Sequence, residues 1–239
     1  SAHSDHADLL IGQKASATYS YEISDGNGGT DTATVDLDFC GSLNTLETIK
    51  ASLPASGTMV VGVENGEDFY SITLTGTGDA RLDGQTFDIA YCVSRFLPLE
   101  FDTPTSVSIS LADEASAPDS VKHSENLDLV NWILNQDFGS MDNGDGKGQT
   151  YTEAEIQGAI WGLTDDFVYI NEALPGFGTK ANAQEIYDLA LANGEGFEAG
   201  EGDIIGLILD PHSSHAPLSE QPLIIGVNWD DLAQDCLCY

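Results

Sequence analysis

Apolar and polar residues alternate at Tyr19, Tyr21 and Ile23, and again at Ala33, Val35, Leu37 and Phe39, with Ser24-Asp25-Gly26-Asn27-Gly28-Gly29 between. That period of two on both sides of a turn predicts a β-hairpin over residues 17–39. Alternating or apolar runs at 58–63, 69–75 and 86–96, and around Val107, Ile109 and Leu111, predict further strands. The period then lengthens. Leu127, Val130, Ile133 and Leu134 fall on one face of a helix from a Ser124 cap to about Gln136, and Ile156, Ala159, Ile160 and Leu163 do the same after a Thr152/Glu155 capping box. Leu163-Thr164-Asp165-Asp166 closes that helix, and residues 181–192 predict another, with Ile186, Leu189 and Ala190 inward and Asn193-Gly194 as its stop. Residues 203–209 and 223–229 return to the character of buried strands.

Strands, then helices, then strands again make an α+β fold: a β-sandwich or barrel-like subdomain with a helical insertion at about 121–195. Residues 1–40 form a terminal hairpin, packed on the main domain or closing a separate repeat, and 41–239 form the main domain. One hairpin cannot bury its own face, so it needs a partner.

Composition narrows the function classes. Seven Lys plus Arg against forty Asp plus Glu give a formal charge of -33. Phosphate binding needs clustered positive charge, which excludes nucleic acid as the expected partner. Solubility or cation binding is the expected meaning of the acidic excess. No run has the length of a membrane-spanning helix, so no membrane insertion is expected, and the chain reads as a soluble segment of something larger. Four cysteines are too few for a disulfide-rich scaffold.

Two stretches carry the candidate chemistry. Phe87-Asp88-Ile89-Ala90-Tyr91-Cys92-Val93 ends a predicted strand on a cysteine, and Ile156-Gln157-Gly158-Ala159-Ile160-Trp161 puts a glutamine one turn before a tryptophan on a predicted helix. Together they resemble the bacterial surface thioester domains, in which a Cys after an aromatic or large apolar residue is joined to a Gln in an apolar-Gln-x-Ala-apolar-Trp helix. The similarity runs from about Leu82 to about Asn193. It implies an internal Cys92–Gln157 thioester formed with loss of ammonia, an acyl group activated toward amines and hydroxyls. In that family the bond reacts once with a nucleophile on a target, often a Lys amine. The expected protein is thus a covalent adhesin, consumed rather than turned over and so not an enzyme, needing no cofactor for the bond. Its expected partner is a protein or glycan nucleophile on a host cell or other surface, and its expected place is extracellular, at the cell surface, within a larger adhesin. Tyr91, Phe96 and Trp161 are the candidates for shielding the bond from water. Gly158 after Gln157 departs from good helix composition, either loosening the site or allowing the cysteine strand to approach closely.

The hairpin residues 21–35 look like the closing hairpin of the immunoglobulin- or cadherin-like repeats of large bacterial adhesins. Its Asp25, Asn27 and Asp31 offer oxygens to calcium, but are equally ordinary turn residues. Asp142, Asn143 and Asp145 before Gly146 have EF-hand flavour without the register, since Met141 and Thr152 would fall where the first ligand and the final Glu belong. They are candidate calcium ligands, and a noncovalent calcium-dependent binding module is the alternative function; a structural spacer is a third. With Cys92 committed, Cys40 pairs with Cys236 or Cys238, or all three stay free thiols. His123 precedes a helix start and reads first as an exposed residue, second as a proton carrier. His212 and His215 have zinc-like spacing but no Cys or carboxylate cluster beside them.

Overall fold

The computed structural model describes residues 14–40, 45–63, 70–95, 97–144, 146–165, 179–211 and 220–233. The chain divides into two compact units, residues 1–49 with 233–239, and residues 50–232. Among the described residues no helix is long and apolar enough to cross a membrane.

The first unit holds the hairpin. Strands β1 (Lys14–Ser24) and β2 (Thr30–Cys40) pair antiparallel from Lys14↔Cys40 to Ser24↔Thr30. Asp25 builds the turn: one carboxylate oxygen accepts the N–H groups of Asn27 (2.7 Å) and Gly29 (2.9 Å), and these bonds hold its pKa below the ordinary value. Gly26 and Gly28 take the positive φ angles, 74° and 96°, that the turn requires. Tyr19 and Val35 are cross-strand partners, and with Tyr21, Ile23 and Leu37 they are exposed.

Helix α1 (Leu46–Ser52) crosses the division between the units. The second unit contains β3 (Ser56–Val63), β4 (Tyr70–Thr75), β5 (Thr86–Phe87), β6 (Ala90–Cys92) and β7 (Thr105–Leu111). Then come α2 (Leu127–Leu134), α3 (Glu153–Thr164) and α4 (Lys180–Asn193), followed by β8 (Ile204–Asp210), β9 (Leu223–Asn228) and α5 (Trp229–Leu232). This is the α+β order expected from the hydrophobic pattern. The strands form one sheet in the order β5-β4-β3-β7-β8-β9-β6.

The predicted single strand at 86–96 is two short strands, and the break has a topological cause. β5 and β6 occupy opposite edges of the seven-strand sheet, yet only Asp88 and Ile89 separate them in the chain. Three peptide steps span at most about 11 Å, so the two edges are brought together and the sheet curls toward a barrel. Contacts of β4 with β6 and of β5 with β9 close the seam. At the seam, an added Cβ on Gly226 would meet Ile89 Cγ2 at 2.9 Å.

β8 and β9 are buried on nearly every residue, the signature of strands covered on both faces. On one face Tyr91, Ile208 and Ile224 join the helices through Val130, Ile133, Ile156, Ile160 and Ile186. The opposite face carries the cross-strand row Leu209–Leu223–Cys92. Helix α2 docks through two asparagines. Asn131 Oδ1 accepts from Gly206 N (3.0 Å), where any Cβ would meet that oxygen at 2.6 Å, and Asn135 pairs with both the N–H (2.7 Å) and the C=O (2.9 Å) of Ile204. The expected Ser124 cap is not used: residues Ser124–Asn126 form a 3-10 turn with no side-chain cap, and α2 starts at Leu127.

Candidate functional site

β6 is an edge strand, and its hydrogen bonds to β9 use every second residue. Gly226 N–H donates to Ile89 O (3.0 Å) and Val93 N–H donates to Pro222 O (3.1 Å), so Ile89, Tyr91 and Val93 turn their main-chain groups toward β9. Cys92 therefore presents its N–H and C=O outward from the sheet edge, where an unpaired buried amide would be costly. Gln157 satisfies both. Cys92 N–H donates to Gln157 Oε1 at 2.7 Å, and Gln157 Nε2 donates to Cys92 O at 2.8 Å. The two residues, 1% and 2% exposed, meet out of contact with water. The donor and acceptor roles fix which end of the carboxamide is oxygen.

The helix bearing Gln157 is firmly started. Thr152 Oγ1 accepts from Glu155 N, and Glu155 Oε2 accepts from Thr152 N (2.9 Å), which is the capping box expected from the sequence. Glu155 does more than cap: its Oε1 accepts from Thr179 N (2.7 Å) and Asn182 Nδ2 (2.9 Å), tying the start of α3 to the start of α4.

Glu153, Gln157, Trp161 and Asp165 follow one another at spacings of four, one above the next on a single helix face. Each engages the cysteine segment in order. Tyr91 Oη donates to Glu153 Oε2, Gln157 clamps Cys92, the Arg95 guanidinium lies 5.3 Å from the Trp161 ring centroid, and Arg95 N–H donates to Asp165 Oδ2 at 2.8 Å. Four contacts in register along one ridge leave Cys92 no freedom to slide past Gln157. Tyr91 and Trp161, the expected shielding residues, are buried, 6% and 7% exposed, while Phe96 lies outside the described residues. Helix α3 runs unbroken through Gly158.

Electrostatics at the site are set by burial. Desolvation pushes the Cys92 thiol from 9.0 up to about 12, so at neutral pH it is an S–H group. Tyr91 is also raised well above 10.0, first by burial and then by the neighbouring Glu153 carboxylate.

A side-chain amide clamping a strand is not in itself a reactive site. Asn135 does the same to Ile204, and nothing chemical can follow there. What sets position 92 apart is that the clamped residue carries a thiol and the clamping side chain a carboxamide. Neither Glu153 nor Asp165 was singled out by the motif, though the spacing of four from Gln157 and Trp161 was legible.

The remaining candidates fall elsewhere. His123 Nδ1 lies 2.9 Å from Glu125 Oε1, and the His123 backbone N–H donates to Thr164 O, at the far end of α3 from Glu153. Asp142 pairs with Thr150 in a β-bridge, and its Oδ1 accepts from Gly144 N (2.8 Å). Asn143 is buried, with its N–H on Gln149 O (2.8 Å); Asp145 lies outside the described residues. Among the described residues no three His, Cys, Asp or Glu side chains converge as metal ligands would. Cys92 is a free cysteine; the Cys40 side chain, Cys236, Cys238, His212 and His215 lie outside the described residues. A cleft of about 410 Å³ at the barrel seam, lined by Arg81, Phe87, Ile89, Val227 and Asp231 among others, does not include Cys92 or Gln157.

No curated protein matches this chain. Residues 89–195, from the residue before β6 to just past the end of α4, match the family model described as a thioester domain (TED).

Proposed function

We infer that Cys92 and Gln157 join in an internal thioester, and that the protein uses it once to attach covalently to an amine or hydroxyl on a host or other surface. The observation that carries this reading is the two-point clamp, with Oε1 on Cys92 N–H at 2.7 Å and Nε2 on Cys92 O at 2.8 Å. Each contact has a part in the chemistry. As the sulfur adds to Gln157 Cδ, negative charge develops on Oε1, and the Cys92 N–H already points at it as an oxyanion donor. Nε2 is the leaving nitrogen, held by Cys92 O. The C–S bond forms, the C–N bond breaks, and the thiol proton departs with the nitrogen as ammonia.

A carboxamide is a poor electrophile and a thiol raised to about 12 is a poor nucleophile at neutral pH, so enforced proximity must supply the rate. The register fixed by Tyr91–Glu153 on one side and Arg95–Asp165 on the other provides that enforcement. In the attachment step a nucleophile adds to the same carbon, the C–S bond breaks, and Cys92 regains its proton. No turnover follows, because the acyl group stays bound to the target. The burial of Cys92 and Gln157 favours a nucleophile brought in by a docked partner over water. The reading places the protein outside the cell, as part of an adhesin.

Intact mass under amine-free conditions tests this. The wild type is expected to be lighter than its sequence by one ammonia, Cys92→Ala and Gln157→Ala to have full mass, and methylamine to restore the wild type by adding itself. A wild type with an intact Gln157 amide and a titratable Cys92 thiol overturns the reading.

A further inference from the structure

Gln221 is 7% exposed, and its Oε1 is buried with no hydrogen-bond partner. Buried carbonyl oxygens are almost always paired, so one held unpaired calls for a reason. Its backbone is fixed on both sides. Gln221 N–H donates to Pro98 O at 3.0 Å, and Pro222 O accepts from Val93 N–H at 3.1 Å. A residue before proline is confined to extended backbone. Two residues on, Leu223 is the cross-strand partner of Cys92. Residues two apart on an extended chain share a face, so Gln221 lies diagonal to Cys92 on the sheet face that carries the sulfur, about 7–8 Å away along the sheet and within reach of a long side chain. Tyr91, Val93 and Ile224 occupy the other face, among the helices.

We propose that Gln221 is a positioning residue for the incoming nucleophile: its Oε1 accepts a hydrogen bond from the N–H of a primary amine and aims the nitrogen lone pair at the thioester carbon. The proposal rests on the Cys92–Gln157 thioester. The chemistry suits a neutral carboxamide. As the C–N bond forms the nitrogen becomes positive, and its hydrogen bond to Oε1 strengthens into a charge-assisted one. The C–S bond then breaks and the proton on nitrogen passes to the departing sulfur, leaving an amide and the Cys92 thiol. Gln221 takes up no proton, so it acts by orientation and by favouring the charge that develops. Before the amine arrives the acceptor is unpaired, and the nucleophile is the group that completes it.

The test uses the wild type with Gln221→Met, which keeps the length and removes the acceptor, and Gln221→Glu, which restores acceptor oxygens. Intact mass first shows whether each protein has lost ammonia, and the rate of methylamine addition is then followed by mass against the rate of hydrolysis. We expect all three to form the thioester, Gln221→Met to add methylamine about tenfold more slowly with hydrolysis less affected, and Gln221→Glu to recover most of the rate. Gln221→Met adding methylamine at the wild-type rate overturns the proposal. So does Gln221→Met lacking the thioester while the wild type has it, because the residue then serves formation rather than attack. A wild type of full mass overturns the thioester reading itself, a result separable from the other two.

Discussion

At the scale of single residues, the thiol of Cys92 is where burial has its largest chemical consequence. Desolvation raises it from 9.0 to about 12, with no charged neighbour among the causes. A Gln157→Met variant, unable to form the thioester but similar in length, exposes this directly. The sign follows from linkage: between about 9 and about 12 the folded chain keeps a proton that the unfolded chain has lost. The stability from burying the neutral thiol is therefore whole below about 9 and lost as pH rises toward about 12. Gln157→Met should lose a few kcal/mol more over that window than Cys92→Ala/Gln157→Met, measured by urea unfolding at stepped pH. At pH 8 its thiol should also react with a maleimide far more slowly than free cysteine. Equal alkaline slopes would mean that Cys92 is solvated after all.

Cysteine and glutamine were legible at this scale because a motif names both. Glu153 and Asp165 were not, because their roles depend on which strand the helix face meets. Tyr91 is expected from the sequence to shield the bond, and the structure gives its hydroxyl a tie from the cysteine strand to Glu153. That bond joins the residue before Cys92 to the residue one turn before Gln157, so it fixes register.

At the scale of elements, α3 is the part on which the site depends, and its start is held by more than a cap. Thr152→Ala removes one accepted bond from an N-cap and should cost about 1 kcal/mol. Glu155→Ala should cost more, since Glu155 is 2% exposed and accepts from Thr152 N, Thr179 N and Asn182 Nδ2 at once. Leaving three donors without their carboxylate costs about 2–4 kcal/mol. Thermal or urea unfolding would rank the two variants, and the ammonia deficit by mass should fall further for Glu155→Ala, because a shifted α3 no longer presents Gln157 to Cys92. If Thr152→Ala proved the more damaging, the tie to α4 would be incidental.

The capping box was visible in the sequence because it is a local pattern, and so were the stripe of α2, the span of α4 and the strands on either side. The broken strand between Thr86 and Cys92 was not visible. Its cause is the meeting of two sheet edges, which no window of sequence contains. In the Asp142 loop the glycines have a local role: Gly144, Gly146 and Gly148, with φ of 72°, 72° and 70°, turn the chain tightly across an Asp142–Thr150 bridge.

At the scale of the whole molecule, the formal charge of -33 acts on stability and on reactivity with opposite salt dependence. Like charges repel in the compact state, and among the seven Lys and Arg both Lys50 and Arg81 are engaged, with Asp113 at 2.7 Å and Asp79 at 2.5 Å. Added salt shortens the range of the repulsion to about 10 Å at 0.1 M, so the melting temperature should rise by several degrees between roughly 10 and 300 mM sodium chloride. The same field concentrates cations near the protein. A protonated polyamine such as spermidine should therefore add to the thioester faster than methylamine at low salt, relative to their intrinsic nucleophilicities, and lose that advantage over the same salt range. Melting temperature and amine addition, followed across one salt series, are expected to move in opposite directions. A polyamine rate that does not respond to salt would confine the acidic field to faces remote from Cys92, and the approach of the target would then be governed by contact at the site alone.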